Sequence, residues 1–170
     1  MWRATGAGEV YAYIPSQPNL DSVCDSKKYP LNTCKDAEFG LSLGRTAYKF
    51  ETDKWNRIGL HVQVNDVNQK NGFIQLYVDE KKVIDIQEVT FRTGVSAGSL
   101  LVTDLFFSTF FGGSNLAYAT PVDTFAIFRK MNMSVSQNKY VPPPNENGAN
   151  SFQSLPWGLL MTLLFGVFLW

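Results

Sequence analysis

The chain has 170 residues, carries 15 Lys and Arg against 15 Asp and Glu, and is 45% apolar and 14% aromatic. That length suits one domain with a real core and is too short for two comfortable ones. Scattered, balanced charge with no basic run excludes an electrostatic nucleic-acid binder, while the aromatic content suits β structure and surfaces that stack on sugar rings.

The first element is GEVYAYIP, residues 8–15. Val10, Ala12 and Ile14 fall on one side of a strand and Tyr11 and Tyr13 on the other, because successive side chains point to opposite faces. A loop-like stretch rich in Ser, Lys, Pro, Asn and Asp follows, and it holds the two cysteines, Cys24 and Cys34. Without Cys or His companions they make a poor metal site. In an exported protein they read as one disulfide closing a surface loop, and otherwise as two free thiols.

FGLSLGRTAYKFE (39–51) begins with Phe39, Leu41 and Leu43 on one face and changes phase near Gly44, which predicts a bulge. WNRIGLHVQVN (55–65) alternates cleanly, with Ile58, Leu60, Val62 and Val64 inward and Arg57, His61 and Gln63 outward. GFIQLYVDEKKVIDIQEV (72–89) predicts a hairpin turning near Asp79 to Lys82, with Ile74, Leu76, Val78, Val83 and Ile86 inward. LLVTDLFFSTFFGG (100–113) is an apolar run closed by two glycines, as a buried strand would be, and DTFAIFRKMNMSV (123–135) is a candidate last strand. No segment shows helical caps with a 3.6-residue period, and there is no internal repeat. The expected fold is all-β, an antiparallel β-sandwich of jelly-roll type with a polar and aromatic outer face.

The ends differ in character. Residues 1–139 form the expected β domain, and 140–154, rich in Pro, Asn, Gly and Ser, a linker. Residues 155–170 run to the terminus without a charge. As a helix they would span roughly 24 Å at about 1.5 Å per residue, short of the roughly 30 Å hydrocarbon core. Small residues around Asn147, a polar spacer and an apolar tail have the layout of a glycolipid-anchor signal, with Asn147 as the candidate anchor site; a tail anchor is the other reading. The expected location is the secretory pathway and then the cell surface or wall. MWRATGAGEV lacks the apolar run of a signal peptide, so Met1 is expected to be an internal methionine of a longer parent.

Several chemistries find no motif here: there is no G-x-S-x-G elbow, H-E-x-x-H, P-loop or EF-hand loop. His61, on the outward parity of its strand, reads as a partly exposed surface residue rather than a catalytic one. The acid pairs Asp79-Glu80 and Asp85-Glu88 read as solvated. No cofactor or metal is expected. Asn132-Met133-Ser134 is a glycosylation sequon, with Asn132 as acceptor.

Taken together, MWR…GEVYAYIP, LSLGRTAYKFETDKW, NGFIQLYVD and FFSTFFGGSNLAYATPVDTFAIFR resemble polysaccharide lyase family 14, the alginate and glucuronan lyase group, and its fungal-type members in particular. The resemblance runs from Met1 to about Met131, and its FFSTFFGGS…ATP…D block is the most specific part. It implies a β-jelly roll and places the family's Tyr-x-Tyr pair on Tyr11 and Tyr13. It also implies β-elimination on a uronic acid, with one phenol as base and its partner holding the substrate. A phenol can take the C5 proton only if a nearby cation lowers its ordinary pKa of about 10. In the family, basic and hydroxyl residues that work with this pair lie just upstream of M-W-R. They have no counterpart here, so the sequence reads as N-terminally truncated, with an incomplete sandwich and impaired activity expected.

Local cations are candidates to compensate. Arg45 and Lys49 share a face if the strand is regular between them, and both are candidate substrate-carboxylate ligands. Gln75 and Tyr77, on the outer face of their strand, are candidate sugar contacts. Arg3 is nearer in sequence, but ATGAG is expected to break the strand between it and Tyr11. The expected partners are an acidic polysaccharide and, through the tail, a membrane. The rival reading is a carbohydrate-binding or adhesive β-sandwich without catalysis. A Lys or Arg within reach of Tyr11 or Tyr13 favours the lyase.

Overall fold

A computed structural model of the chain describes residues 1–34, 40–94, 105–109, 116–134 and, for the backbone, 162–163. Among the described residues, six strands form two antiparallel sheets, β1 (Ala7–Ala12) with β2 (Leu41–Lys49), and β5-β4-β3-β6 built from β3 (Ile58–Gln63), β4 (Gly72–Val78), β5 (Lys81–Val89) and β6 (Thr162–Leu163). One short helix, α1 (Ser16–Val23), joins the first two strands.

The four-stranded sheet is built by period two. Leu60, Leu76 and Ile84 lie in one cross-strand row and Val62, Ile74 and Ile86 in the next. Each buried Ile or Leu stabilises the fold by about 1.5–3 kcal/mol, and a one-residue slip would turn the whole set to solvent, so the register is firmly specified. Leu41, Leu43, Tyr48 and Phe50 of the other sheet join the same core. The molecule is therefore an all-β sandwich with a shared apolar middle.

The β4–β5 hairpin turns on Asp79 and Glu80, both with positive φ (47° and 70°), the geometry of a two-residue primed turn that matches strand twist. Neither is glycine, and Arg57 supplies the compensation. Its main-chain N–H donates to Asp79 Oδ1 at 3.0 Å, and its guanidinium meets Glu80 at 2.6 Å. The inward residue of the second arm is Ile84, with Val83 only half-buried, because the register shifts between Leu76 and Tyr77.

The expected phase change near Gly44 is present. Val10 pairs with Leu43 but Gly8 with Tyr48, so residues 44–47 bulge out opposite Glu9 alone. Gly44 has φ +63°, and a Cβ there would lie 2.5 Å from Ile84 Cδ1 across the sandwich. Only glycine lets the bulge come this close to β5.

Four sequence expectations change. Helix α1 was not expected; its buried residues are Asn19 and Val23, four apart on one face, and the polar Asn19 hid the pattern. Of the apolar run 100–113, residues 105–109 are described, and they form no strand, with Phe106 80% exposed. Residues 123–134 likewise form no strand, and Phe125 and Ile127 are exposed. Finally, His61 is buried.

Cys24 and Cys34 form a disulfide with Cα atoms 6.0 Å apart. The segment it closes covers the edge of β5, as α1 does: Ser22 donates to Glu88 O, the Gln87 N–H donates to the Tyr29 hydroxyl, and Lys28 pairs with Glu88. An exposed strand edge is a template for aggregation, and at Gln87 and Glu88 it is occupied. The linker and tail lie outside the described residues except for Thr162 and Leu163, which pair with His61 and Leu60. Asn147 also lies outside them. Among the described residues no helix is long and apolar enough to cross a membrane.

Candidate active site

Residues 1–3 fold back on 7–9 as a short antiparallel pair. Trp2 bridges Gly8, the Arg3 N–H donates to Ala7 O, and Met1 and Glu9 exchange main-chain hydrogen bonds. The ATGAG segment does interrupt the strand, but as a turn through Thr5 (φ 61°) and Gly6 (φ 78°) that brings Arg3 back beside it. Directly opposed residues share a sheet face. Arg3 opposite Ala7, and Ala7 opposite Lys49, therefore lie on the face that also carries Glu9, Tyr11 and Tyr11's partner Ser42.

Glu9 organises this face. Its side chain is fully buried, and each oxygen is held by a different arginine: Oε1 by Arg3 at 2.7 Å and Oε2 by Arg45 at 2.9 Å. The Ser42 hydroxyl donates to Oε2 at 2.6 Å, and Arg45 Nε also donates to that hydroxyl at 3.1 Å. Burial pushes the Glu9 carboxyl pKa up, but the hydrogen bonds from Arg3, Ser42 and Arg45, with the charge of Arg3, outweigh it and hold the group below its ordinary value. Two guanidiniums on one carboxylate leave an excess positive charge, on side chains 33% and 41% exposed.

The phenols stand next to this cluster. Tyr11 and Tyr13 meet edge to face with ring centroids 5.4 Å apart, and the Arg3 guanidinium lies 5.7 Å from the centre of the Tyr11 ring. Tyr13 is 76% exposed and Tyr11 half-buried. Gly40, at φ +119°, lies against the Tyr11 ring; a Cβ there would come 2.7 Å from Cε1. On the opposite face of the same sheet, burial and the charge of Glu9 push the Tyr48 phenol up, so Tyr48 stays protonated.

The strand is not regular between Arg45 and Lys49, since Thr46 takes positive φ. They nonetheless reach one face by separate routes, Arg45 through Glu9 and Lys49 through its register with Ala7. Lys49 is exposed.

Gln75 and Tyr77 belong to the outer face of the four-stranded sheet. His61, Gln75 and Asp85 form one cross-strand row there. His61 Nδ1 lies 3.4 Å from Gln75 Oε1, the Tyr77 hydroxyl donates to the same oxygen at 3.3 Å, and Gln75 Nε2 donates to Asp85 at 3.1 Å. Lys82 and Gln87 also hold Asp85. Burial lowers the His61 pKa against the raising effect of Gln75, and the Phe73 ring covers His61 at 4.7 Å. Outward parity made His61 look exposed, but this face has its own aromatic cover. Asn132 is exposed.

Sequence reasoning missed Glu9 and Ser42 and set Arg3 aside. A signal was available: Glu9 shares the parity of Tyr11 and Tyr13, and Thr5-Gly6 is a turn dipeptide.

The fold and a family match together define the class, a polysaccharide lyase-like β-sandwich: the family model described as Polysaccharide lyase 14 matches residues 1–131. The chain belongs to polysaccharide lyase family 14. No curated protein and no solved structure matches it.

Proposed function

We propose that the domain cleaves a uronic-acid polymer, alginate or glucuronan, by β-elimination at the Tyr11–Tyr13 face. The observation that carries this reading is the Arg3 guanidinium 5.7 Å from the Tyr11 ring centre. A cation at that range favours the phenolate over the phenol. Tyr11 is then the base. It takes the C5 proton, the C5–H electron pair forms the C4=C5 double bond, and the C4–O4 bond breaks with O4 leaving to gain a proton. Exposed Tyr13 holds the sugar, and the outward edges of Arg45 and Lys49 neutralise the substrate carboxylate that acidifies C5. Gln75 and Tyr77 lie on the outer face of the four-stranded sheet, across the shared core from the phenols, and are left out of this cleft; jelly-roll connectivity goes with the reading.

The compartment follows the same reading. A disulfide suits the secretory pathway, and an uncharged C-terminal tail after a Pro/Asn/Gly/Ser-rich linker suits a glycolipid anchor, attached near Asn147, at the cell surface.

The test is the ultraviolet absorbance of the unsaturated uronyl product, with the full chain on alginate and on glucuronan. Absorbance should rise on one of them and fall to background in Tyr11→Phe. No absorbance on either polymer, with retention on the immobilised polymers, would instead make this a non-catalytic carbohydrate-binding face.

A further inference from the structure

We infer that Glu9 is a positioning residue, whose buried carboxylate fixes Arg3 over the Tyr11 ring and Arg45 beside it. This rests on the reading of Tyr11 as the base. A long, rotamer-rich arginine at a half-open surface has no reason to stay over one ring, because holding it there costs side-chain entropy. The 5.7 Å contact with the ring is weak at an exposed site and cannot offset that cost alone.

Glu9 supplies what is lacking. Arg3 meets the single oxygen Oε1 through both Nε at 2.9 Å and Nη2 at 2.7 Å, so two of its nitrogens are held at one point. The second oxygen is taken by Arg45 and Ser42, so the carboxylate cannot swing away from Arg3 without breaking both. Its main chain is pinned too, through the paired bonds with Met1. The charged or titratable groups around Glu9 are thus Arg3, Arg45, the α-amino group of Met1 and, across the sheet, Tyr48. Two of the cations on it project toward the phenols or the solvent. A buried acid that touches no substrate therefore sets where the positive charge of the site lies.

The test is a double-mutant cycle read as the pH midpoint at which activity appears. A base must be deprotonated to act, so losing the cation over Tyr11 moves the midpoint upward. For a unit charge at this distance the move is between about half and two pH units. Arg3→Gln should raise the midpoint, Glu9→Gln should raise it by less because it also removes a negative charge, and the double variant should match Glu9→Gln alone, since Arg3 then has nothing left to hold it. Glu9→Asp keeps the charge that the fold needs but withdraws it by one methylene, and should give a smaller shift of the same sign. Loss of stability with an unmoved midpoint in both Glu9 variants, or shifts that add in the double variant, overturns the inference. If the unaltered chain produces no unsaturated product, the lyase reading fails by itself. The phenol of Tyr11, isolated as the ultraviolet titration difference from Tyr11→Phe, then carries the same test, and an equal midpoint with and without Glu9 overturns the positioning role.

Discussion

The side-chain amide of Asn19 pairs with the main chain of Thr90 as a neighbouring strand would. Asn19 Nδ2 donates to Thr90 O at 2.6 Å, and the Thr90 N–H donates to Asn19 Oδ1 at 2.8 Å. Asn19 is fully buried, and its Nδ2 also donates to Pro15 O at the start of α1. One residue thus ties the helix to the end of β5. Asn19→Ala leaves the buried Thr90 donor and acceptor unpaired, at about 1–3 kcal/mol each. We expect about 2–4 kcal/mol of lost stability, read from the shift in urea midpoint at unchanged slope.

Gly44 offers a separable pair of costs. Gly44→Ala forces a side chain into left-handed backbone, about 1–2 kcal/mol, and drives its Cβ against Ile84, adding about 1–3 kcal/mol of overpacking. Trimming the neighbour removes only the second. Chemical denaturation of Gly44→Ala, Ile84→Ala (which removes both γ carbons facing the new methyl) and the double variant should therefore show a favourable coupling, with the double variant costing less than the sum.

The disulfide closes a loop of 10-residue separation. Loop-closure entropy for that length corresponds to about 3 kcal/mol. Replacing both Cys24 and Cys34 by Ser should lower the unfolding free energy by about that amount, and reducing agent should do the same to the unaltered chain. If reduction leaves the denaturation midpoint in place, the loop is held by Tyr29 and Lys28 on β5 rather than by the crosslink.

Acid should weaken the fold through Glu9. Its carboxyl is held below the ordinary 4.5 by its arginine and serine partners against the opposing effect of burial. A depressed carboxylate contributes stability that is present above its unfolded value and is lost as pH falls through the folded one. Stability of the unaltered chain should thus drop as pH falls below 4.5, and in Glu9→Gln that drop should be shallower. Parallel pH curves would mean that other carboxylates dominate.

Period two made the β3–β4–β5 sheet readable, because alternation reports the face a side chain takes. Two isolated cysteines made the disulfide readable, and the phase change near Gly44 made the bulge readable. Alternation does not report what covers a face. His61 was assigned the right parity and the wrong burial, since the ring above it belongs to Phe73 on the next strand. The apolar run through Phe106 looked like core for the converse reason: composition names no partner. Helix α1 stayed hidden because it is short and buries an amide where a helix pattern calls for an apolar side chain. The side-by-side placement of Tyr11 and Tyr13 could be read from alternation, but the acid beside them could not. A buried glutamate becomes intelligible only when its counter-ions, 6 and 36 residues away, are seen to converge on it.

That convergence has a consequence for how such a site can change by descent. With one carboxylate serving two arginines, no member of the trio is replaceable alone. Loss of Glu9 leaves two guanidiniums repelling one another, and loss of either arginine leaves an acid half-compensated in the interior. Arg3, Glu9 and Arg45 should therefore be kept or discarded as a block. A descendant that lost the cluster would have to cross that barrier in a single linked change, or first acquire stability elsewhere to survive the intermediate.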